Sequence, residues 1–419
     1  MASSTHNSAF SRVTALAALR PVHAAFAWLH GNPKTIMDWQ AEMVAIPAPP
    51  FGEQARSEWA AARFAEAGLS DVETDTIGNV KGWLKAASLP PESTGPVVVL
   101  SAHLDTVFPA DTPLTPLVDG ERLTAPGACD NAAGVVGMLA IAHALVANGV
   151  ELAAPLLFLG NVGEEGEGDL RGVRHFYSQR ALAGRIAAHI VLDGAGADSA
   201  VTQALGSRRF RVTVTGPGGH SFTDAGTPNP IAALASALAV VAGTTLPDEP
   251  RTTLNLGTIQ GGTSVNSIPE SAQASIDFRS TSSEQLLLLE VALHRAVEDA
   301  VEHWNAEAKS AGRIGRGLLA YAIETIGDRP AAQLPAKSPL LETLNAVDRH
   351  LGLRTDQRLG STDANIPLSM GIPALSMGAG GDGGGAHTLA EWYSAKDREE
   401  GLKRVLMLVL AMTEWAAGQ

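Results

Sequence analysis

The sequence predicts an α/β protein whose mostly parallel-sheet domain is interrupted by an inserted α+β domain. Short apolar runs alternate with helical patterns in the first half and again near the end, as in a parallel sheet covered by helices. Between residues 207 and 329 the predicted order is β-α-β-β-α-β, which is typical of a split-βαβ domain with an antiparallel sheet. We therefore expect residues 1–206 and 330–419 to form the α/β domain and residues 207–329 to form the insertion.

The α/β domain is predicted from apolar runs that have the length of buried strands. These predicted strands cover residues 96–104, 154–160, 189–192 and 372–377. A helix is predicted over residues 131–148, because Asp130 and Asn131 can cap its start and Gly149 can end it. An amphipathic helix over residues 402–415 completes the predicted domain.

The inserted domain is predicted from strands in which polar and apolar residues alternate. Residues 209–215 (RFRVTVT) show this period of two most clearly. The other predicted elements follow in chain order: helix 230–242, strands 252–260 and 272–279, helix 284–308 and strand 317–325.

Composition restricts the classes of function. A chain of 419 residues with 45% hydrophobic and 18% charged residues is typical of a globular protein with two domains. The net charge of -14 argues against a nucleic-acid partner, because neutralising phosphates requires clustered Lys and Arg. We expect no membrane span, since no run of about 18 apolar residues occurs. Basic residues interrupt the apolar stretch of residues 1–30, so we expect no signal peptide, and the single cysteine, Cys129, fits a reducing, cytoplasmic location.

Potential metal ligands follow the predicted strands directly. They are His103, Asp105, Glu164, Glu165, Asp193 and His387, together with Asp130 in the loop before the first long helix. Parallel strands end at one edge of a sheet, where α/β proteins bind ligands, so we expect these side chains to meet. Two histidines with several carboxylates suit a metal such as zinc, and an aspartate can bridge two metals about 3.5–4 Å apart. The sequence therefore predicts a two-metal site.

Two neighbouring pairs in this set have chemically plausible roles. Asp105 lies two residues from His103 on the same face of a strand, so it could hold the imidazole in its metal-binding tautomer. Of Glu164 and Glu165, one could bind metal while the other takes a proton from water. Either pair alone is more often surface charge or a capped turn; their joint placement at strand ends favours the functional interpretation. Four other histidines are interpreted as ordinary core or surface residues: His143, His175, His189 and His350.

From about Asp38 onward the chain resembles the di-zinc exopeptidase and deacylase family. This family includes carboxypeptidase G, tripeptidase T, aminoacylase, acetylornithine deacetylase and succinyl-diaminopimelate desuccinylase. SAHLDTVFP, GACDNAAG and GEEGEGD are similar to its metal-site motifs. GPGGHSF, GGTSVNSIPESAQASIDFRS, GSTDA and a late HT follow in the family's order.

The resemblance implies a role for each candidate ligand. Asp130 would bridge two divalent ions, zinc in the first instance and cobalt or manganese as alternatives. The other ligands would be His103 and Asp193 on one metal, and Glu165 and His387 on the other. Glu164 would be the general base, and Asp105 would orient His103.

The resemblance also implies that the inserted domain is a lid and a dimerisation domain. In the homodimer, His220 would reach the partner's active site and stabilise the oxyanion. Asn266 and Arg279 match positions that contact substrate, and lid closure would bring His220 and Arg279 onto it. Arg279, and Arg329 as a second candidate, could bind a substrate carboxylate, with a surface ion pair as the alternative for each.

The function implied by the resemblance is hydrolysis of an amide bond in a small peptide, by an exopeptidase or dipeptidase. Many deacylases and glutamate carboxypeptidases have glutamate where this chain has Asp193, which favours peptides; an aminoacylase-like deacylase of N-acyl amino acids is the alternative. Phosphoester cleavage is disfavoured, because no phosphate cradle or basic cluster occurs around the motifs. A catalytically silent binding protein is disfavoured as well, because it would lack some of the metal ligands and every expected ligand is present. The sequence leaves open the substrate side chain, the end that is released, and the role of residues 1–28.

Overall fold

The structure is a computed structural model that describes residues 8–86, 95–312 and 317–419. The chain forms two compact units. The main unit consists of Met1–Ala204 and Gln333–Gln419, and the inserted unit consists of Leu205–Ala332. Residues 1–7, which belong to the N-terminal segment without a predicted role, lie outside the described residues.

The first part of the main unit begins with helices and continues as alternating strands and helices. Its helices are α1 (Ala9–Ala17), α2 (Arg20–Gly31), α3 (Pro33–Val44), α4 (Gln54–Glu66), α5 (Ala132–Ala147), α6 (Arg171–Ser178) and α7 (Arg180–Ala183). Its strands are β1 (Ser70–Thr74), β2 (Val80–Leu84), β3 (Val97–His103), β4 (Leu117–Asp119), β5 (Arg122–Thr124), β6 (Leu156–Asn161), β7 (Ile186–Leu192) and β8 (Ser199–Ala204).

The inserted unit and the second part of the main unit follow. The inserted unit contains β9 (Gly206–Thr215), β10 (Gly219–His220), α8 (Pro230–Ala242), β11 (Thr252–Gly261), β12 (Ser267–Ile268), β13 (Ser271–Ser280), α9 (Ser283–Ser310) and β14 (Ala320–Arg329). The chain then forms β15 (Ala332–Gln333), α10 (Pro339–Leu351), β16 (Asp356–Gly360), α11 (Asn365–Ser369), β17 (Ala374–Met377), β18 (Asp382–Gly384), β19 (Trp392–Ser394) and α12 (Arg398–Ala417).

The central sheet of the main unit confirms the predicted fold class. Its strand order is β1-β2-β6-β3-β7-β17-β8-β15, with β16 pairing with β8. Strands β6, β3, β7 and β17 are mutually parallel, while β1 and β2 run antiparallel at one edge. All residues of β3 are buried, as expected for a strand covered on both faces. The parallel strands therefore end together at one edge, and the predicted ligands follow them.

The inserted unit has the predicted βαββαβ order, with the short pair β10-β12 in addition. Its antiparallel sheet has the order β11-β13-β9-β14. Alternate residues of β9, such as Phe210 and Val212, pack with residues of α8 and α9 in one hydrophobic core. The residues between them, such as Arg209 and Arg211, lie on the opposite face, which explains the alternation in the sequence.

Some elements differ from the sequence prediction. The strand β16 was not predicted, because four of its five residues are exposed and only its pairing with β8 defines it. Helix α12 is longer than predicted and buried on most of its surface, so it is a core helix and not an amphipathic one. Strand β14 extends to Arg329, beyond the predicted end at residue 325, and Arg329 is buried. No helix within the described ranges is long and apolar enough to cross a membrane.

Candidate metal centre

The predicted ligands meet at the carboxyl edge of the central sheet. His103 is the last residue of β3, Glu164 and Glu165 follow β6, and Asp193 follows β7. Ligand atoms lie within 4.8 Å of one another in three groups: His103, Glu164 and Glu165; His103, Asp130 and Asp193; and Asp130, Glu165 and His387.

Asp130 lies between the two histidines of the cluster. Its Oδ1 is 3.1 Å from His103 Nε2, and its Oδ2 is 3.1 Å from His387 Nε2. Asp193 Oδ1 lies 3.9 Å from His103 Nε2, and Glu165 Oε1 lies 3.1 Å from His387 Nε2. Atoms bound tetrahedrally about 2.0–2.1 Å from a zinc ion are separated by about 3.3 Å. The donor spacing therefore fits two ions that share one carboxylate.

A buried oxygen of Asp130 supports this fit. Among the described residues Oδ1 has no hydrogen-bond partner, because its approach to His103 lacks hydrogen-bond geometry. A buried carboxylate oxygen without a partner is costly unless it binds a cation. The donor set of imidazoles and carboxylates is one that zinc, cobalt and manganese accept.

The titration behaviour of the cluster reflects its excess of negative charge. The hydrogen bond with Asp130 and the charge of Glu165 raise the pKa of His387 to about 9, against the effect of burial. Burial and the charges of Glu164 and Asp130 raise the pKa of Glu165 to about 8. Burial acts to raise the pKa of Asp130, but the two histidines outweigh it and hold that pKa far below its ordinary value. A divalent cation would offset the same excess charge.

Asp105 connects His103 to the loop that carries the two glutamates. Its carboxylate accepts hydrogen bonds from the backbone N–H of Glu164 (3.0 Å) and of Glu165 (2.8 Å). His103 Nδ1 lies 3.6 Å from Asp105 Oδ1 and 3.2 Å from its backbone oxygen, to which it can donate. In a neutral His103 with its proton on Nδ1, Nε2 would be free to bind a metal on the side of Asp130. The contact with His103 was predicted, whereas the two bonds to the glutamate loop were not.

Two charged residues beside the cluster were missed by sequence reasoning. Glu391 is fully buried and accepts backbone hydrogen bonds from the loop that contains Asp130. Arg56 is fully buried and donates to the carbonyl oxygens of Ile46 and Leu104 at 2.8 Å. Burial lowers the pKa of Arg56 to about 10, while the charges of Asp105 and Glu391 act against this shift. Arg56 is thus cationic at neutral pH and partly neutralises these two carboxylates. Its position in a helix of mixed composition carried no signal of this role.

The GSTDA motif places another buried carboxyl group near Glu164. Asn161, which pairs with His103 in the parallel ladder, donates from Nδ2 to Asp363 Oδ2 at 2.7 Å. Burial and the charge of Glu164 raise the pKa of Asp363 to about 8. The sequence motif indicated this segment, but not its hydrogen bond to Asn161.

His220 and Asn266 lie together in the inserted unit. Strands β10 and β12 pair, and the N–H of Ser221 donates to the backbone oxygen of Asn266 at 3.0 Å. His220 Nδ1 accepts hydrogen bonds from the N–H groups of Phe222 (3.2 Å) and Thr223 (3.3 Å). Because Nδ1 is an acceptor, the ring proton is on Nε2, which can donate. The exposed imidazole is therefore set up as a hydrogen-bond donor.

Arg279 and Arg329 lie in the four-stranded sheet of the inserted unit, at the end away from β10 and β12. Both pair with Ser207, from the two strands that flank β9. Arg279 Nε donates to Asp277 at 2.8 Å, so this arginine makes the ion pair that was its alternative interpretation. Arg279 is eight residue steps along β13 from Ser271, the first residue of the strand after β12, which corresponds to about 26 Å. The inserted unit therefore does not bring Arg279 to His220.

Cys129 and two of the other histidines lie in the protein interior or against aromatic rings. Cys129 is buried, and burial raises the pKa of its thiol to about 12, so it is protonated and unreactive at neutral pH. His189 is buried and bonds to Tyr177 and Ser101. His143 stacks on Trp28 and on Trp39, with ring centroids 5.7 and 4.8 Å away.

Comparison with known families decides the classification. The model of "Peptidase family M20/M25/M40" matches residues 99–411, well over half of the chain. The chain belongs to this peptidase family. Membership in family M20/M25/M40 confirms the family predicted from the motifs. Together with the ligand cluster, it supports metal-dependent hydrolysis of peptide or acyl amide bonds.

Individual relatives of this M20-family chain are distant. It is similar to the succinyl-diaminopimelate desuccinylase of Psychrobacter arcticus, with 28% identity over 202 residues, or 45% of this chain and 50% of the relative. The chain thus matches half of that relative's length. Aminopeptidase PepT from Bacillus cereus has a TM-score of 0.69 at 19% identity, covering 91% of this chain and 99% of that one. Human carnosine dipeptidase 1 has a TM-score of 0.67 at 17% identity, covering 94% and 99% respectively. These structures show that the fold is shared.

Proposed function

We propose that the protein is a two-metal peptidase that hydrolyses an amide bond of a small peptide. The observation that carries the proposal is the position of Asp130, whose two oxygens each lie 3.1 Å from a different histidine. His103 and Asp193 would complete one metal site, and Glu165 and His387 the other. We propose zinc, since imidazole and carboxylate ligands suit it, although cobalt and manganese accept the same set. Two such ions, when bound, polarise a carbonyl group and lower the pKa of water.

Glu164 is the residue that we propose as the general base. Its side chain is buried, with an oxygen within 4.8 Å of the ligand atoms of His103 and Glu165. A carboxylate in this position can take a proton from the attacking water and return it to the leaving nitrogen. Asp105 holds both backbone N–H groups of this loop, which would keep the side chains of Glu164 and Glu165 in place for their different roles. Asp105 would also keep His103 in its metal-binding tautomer.

We propose that the enzyme is a homodimer joined through the inserted unit. Strand β11 is an edge strand of ten residues, most of them exposed. Leu256 and Ile259 on β11, and Ile231 and Val240 on the adjacent α8, are exposed apolar residues. A long exposed edge strand with apolar neighbours is a template for pairing with another chain. A second copy could extend this sheet through antiparallel pairing of β11 with β11, as two-fold symmetry allows.

In this dimer His220 would act in the partner's active site. Its Nε2–H is available as a donor, as stabilisation of a tetrahedral oxyanion requires. Asn266 lies beside it and would contact the same substrate. Arg279 or Arg329 would bind a substrate carboxylate, and the separation along β13 suggests that His220 and Arg279 of one chain serve different active sites. Closure of the inserted unit as a lid would then complete each site.

Peptides are proposed over N-acyl amino acids because the chain has Asp193 where many deacylases have glutamate. A direct assay decides between them. Protein stripped with a chelator is reloaded with zinc, cobalt or manganese and assayed on dipeptides, tripeptides, N-acyl amino acids and a phosphomonoester. We expect metal-dependent turnover of dipeptides or tripeptides and none of the phosphomonoester. Preference for N-acyl amino acids would support the deacylase alternative, and no amide hydrolysis with any metal would overturn the proposal. A cytoplasmic location is proposed as well, supported by the single buried cysteine.

A further inference from the structure

One carboxylate holds the loop that presents Asp130. Glu391 Oε1 accepts hydrogen bonds from the N–H groups of Cys129 (2.8 Å) and Asp130 (2.7 Å). Glu391 Oε2 accepts one from the N–H of Gly127 at 2.9 Å. The Glu391 side chain is fully buried, so these charge-assisted bonds do not compete with water.

We propose that Glu391 is a positioning residue that fixes Asp130 between His103 and His387. The inference rests on the proposed metal site, and it concerns the protein group that shapes that site. Three N–H groups of residues 127–130 converge on one point, and a carboxylate has the acceptor capacity to bind all of them. Without it, these buried donors would have to find other partners, and the loop would change its conformation.

The other end of the loop is fixed independently. Asn131 Nδ2 donates to the backbone oxygen of Leu192, while its Oδ1 accepts from the N–H groups of Gly134 and Gly194. Asn131 therefore ties the loop to the end of β7, next to Asp193. The position of Asp130 is thus held by two side chains: Asn131 on the side of Asp193 and Glu391 on the side of His387.

Glu391 also belongs to the segment that carries His387. The N–H of Thr388 donates to the oxygen of Gly385, and the N–H of Glu391 donates to the oxygen of Thr388. These turns hold His387 and Glu391 in one short unit. The segment thus contacts Asp130 twice, through the imidazole at its carboxylate and through Glu391 at its backbone N–H. In this arrangement Glu391 sets the separation of Asp130 and His387.

Glu391→Gln tests the inference, because it keeps the size of the side chain but turns one acceptor towards the loop into a donor. We expect the zinc affinity of the stripped protein, measured by competition with a chelator, to fall about 10–100-fold, as losses of groups that orient ligands do. In the zinc-saturated variant we expect kcat to fall about 10–100-fold and KM to change by less than about threefold.

Asp348→Asn is the matched control. Asp348 is a buried carboxylate that accepts from Arg404 Nε at 2.7 Å. This variant should lower thermal stability while leaving zinc affinity unchanged. Wild-type zinc affinity in Glu391→Gln, or an equal loss in Asp348→Asn, would overturn the inference.

Hydrogen exchange of the stripped wild-type protein gives an answer even if Glu391→Gln does not fold. The N–H groups of Gly127, Cys129 and Asp130 should be strongly protected without metal, since Glu391 and not the ion holds them. Exchange at the rate of an exposed loop would refute the role. Neither zinc affinity nor hydrogen exchange uses a substrate, so a protein that binds zinc but hydrolyses no amide would reject the proposed function and leave this inference standing.

Discussion

His387 Nε2 lies 3.1 Å from Asp130 Oδ2, although 257 residues separate them in the sequence. They meet because β3 and β17 are parallel strands of one sheet, and the segments after them come to the same edge. A metal ion held by both residues would connect the two parts of the main unit. Metal binding and the stability of this unit should therefore be linked.

Zinc should stabilise the stripped protein against thermal unfolding. At a free zinc concentration 100 times the dissociation constant, the gain in unfolding free energy is about 2.7 kcal/mol for one site. We expect His387→Ala to lose part of this stabilisation, because one proposed site loses a ligand. Thermal unfolding of both proteins with and without zinc measures the effect. A wild-type melting temperature that does not respond to zinc would contradict a metal site of this strength.

Zinc affinity should rise with pH up to about pH 9. In the stripped protein the pKa of His387 is raised to about 9 and that of Glu165 to about 8, so protons occupy both groups at neutral pH. Zinc binds neutral imidazole and ionised carboxylate, so binding must release these protons. Raising the pH removes the competing protons and strengthens binding. Calorimetry in buffers of different ionisation enthalpy counts the protons, and binding without proton release between pH 6 and 8 would reject this explanation.

Asp105→Asn should impair both catalysis and metal binding. Asparagine presents one N–H₂ group towards the N–H of Glu164 or Glu165, or towards His103, so one of these contacts becomes repulsive. We expect zinc affinity to fall about 10–100-fold, with a comparable loss of kcat. Asp348→Asn again serves as the control for removing a buried charge. Unchanged kcat and zinc affinity would show that Asp105 has no positioning role.

Ile259→Glu should prevent dimerisation. Ile259 is 63% exposed on the edge strand β11, and a charge there opposes pairing with a second chain. Leu287→Glu is the matched control, because Leu287 is 52% exposed on α9 of the same unit and outside the proposed interface. We expect a monomer of low activity for the first variant and an active dimer for the second, by light scattering and peptide assay. A fully active Ile259→Glu monomer would remove the role of the dimer.

Mixing two inactive variants should restore activity if His220 acts in the partner's site. In a heterodimer of Glu164→Gln and His220→Ala subunits, one of the two active sites has both an intact base and an intact histidine. After random exchange of equal amounts, about half of the dimers are heterodimers, and each heterodimer has one active site out of two. The mixture should therefore recover about a quarter of the wild-type activity. No recovery after subunit exchange would mean that His220 serves its own chain or none.

The sequence predicted the parts of this protein that depend on local pattern. Buried apolar runs predicted β3, β6, β7 and β17, and the residues after them predicted the cluster of candidate metal ligands. Contacts made only by tertiary packing were not predictable. Glu391 lies in a short loop segment of mixed composition, and its function appears only when residues 127–130 fold against it. Arg279 was interpreted either as a residue that binds a substrate carboxylate or as part of a surface ion pair. Its ion pair with Asp277 and its distance from His220 along β13 became visible only in the structure.

The most direct measurement compares wild-type protein with Glu164→Gln, both loaded with zinc and assayed on the best peptide substrate. Glutamine keeps the size of the side chain but cannot accept the proton of the attacking water, so kcat should fall by about 10²–10⁴-fold. Zinc content and melting temperature should stay close to those of the wild type, because Glu164 is not a proposed ligand. A Glu164→Gln protein that retains zinc and hydrolyses the peptide at the wild-type rate would contradict the proposed mechanism.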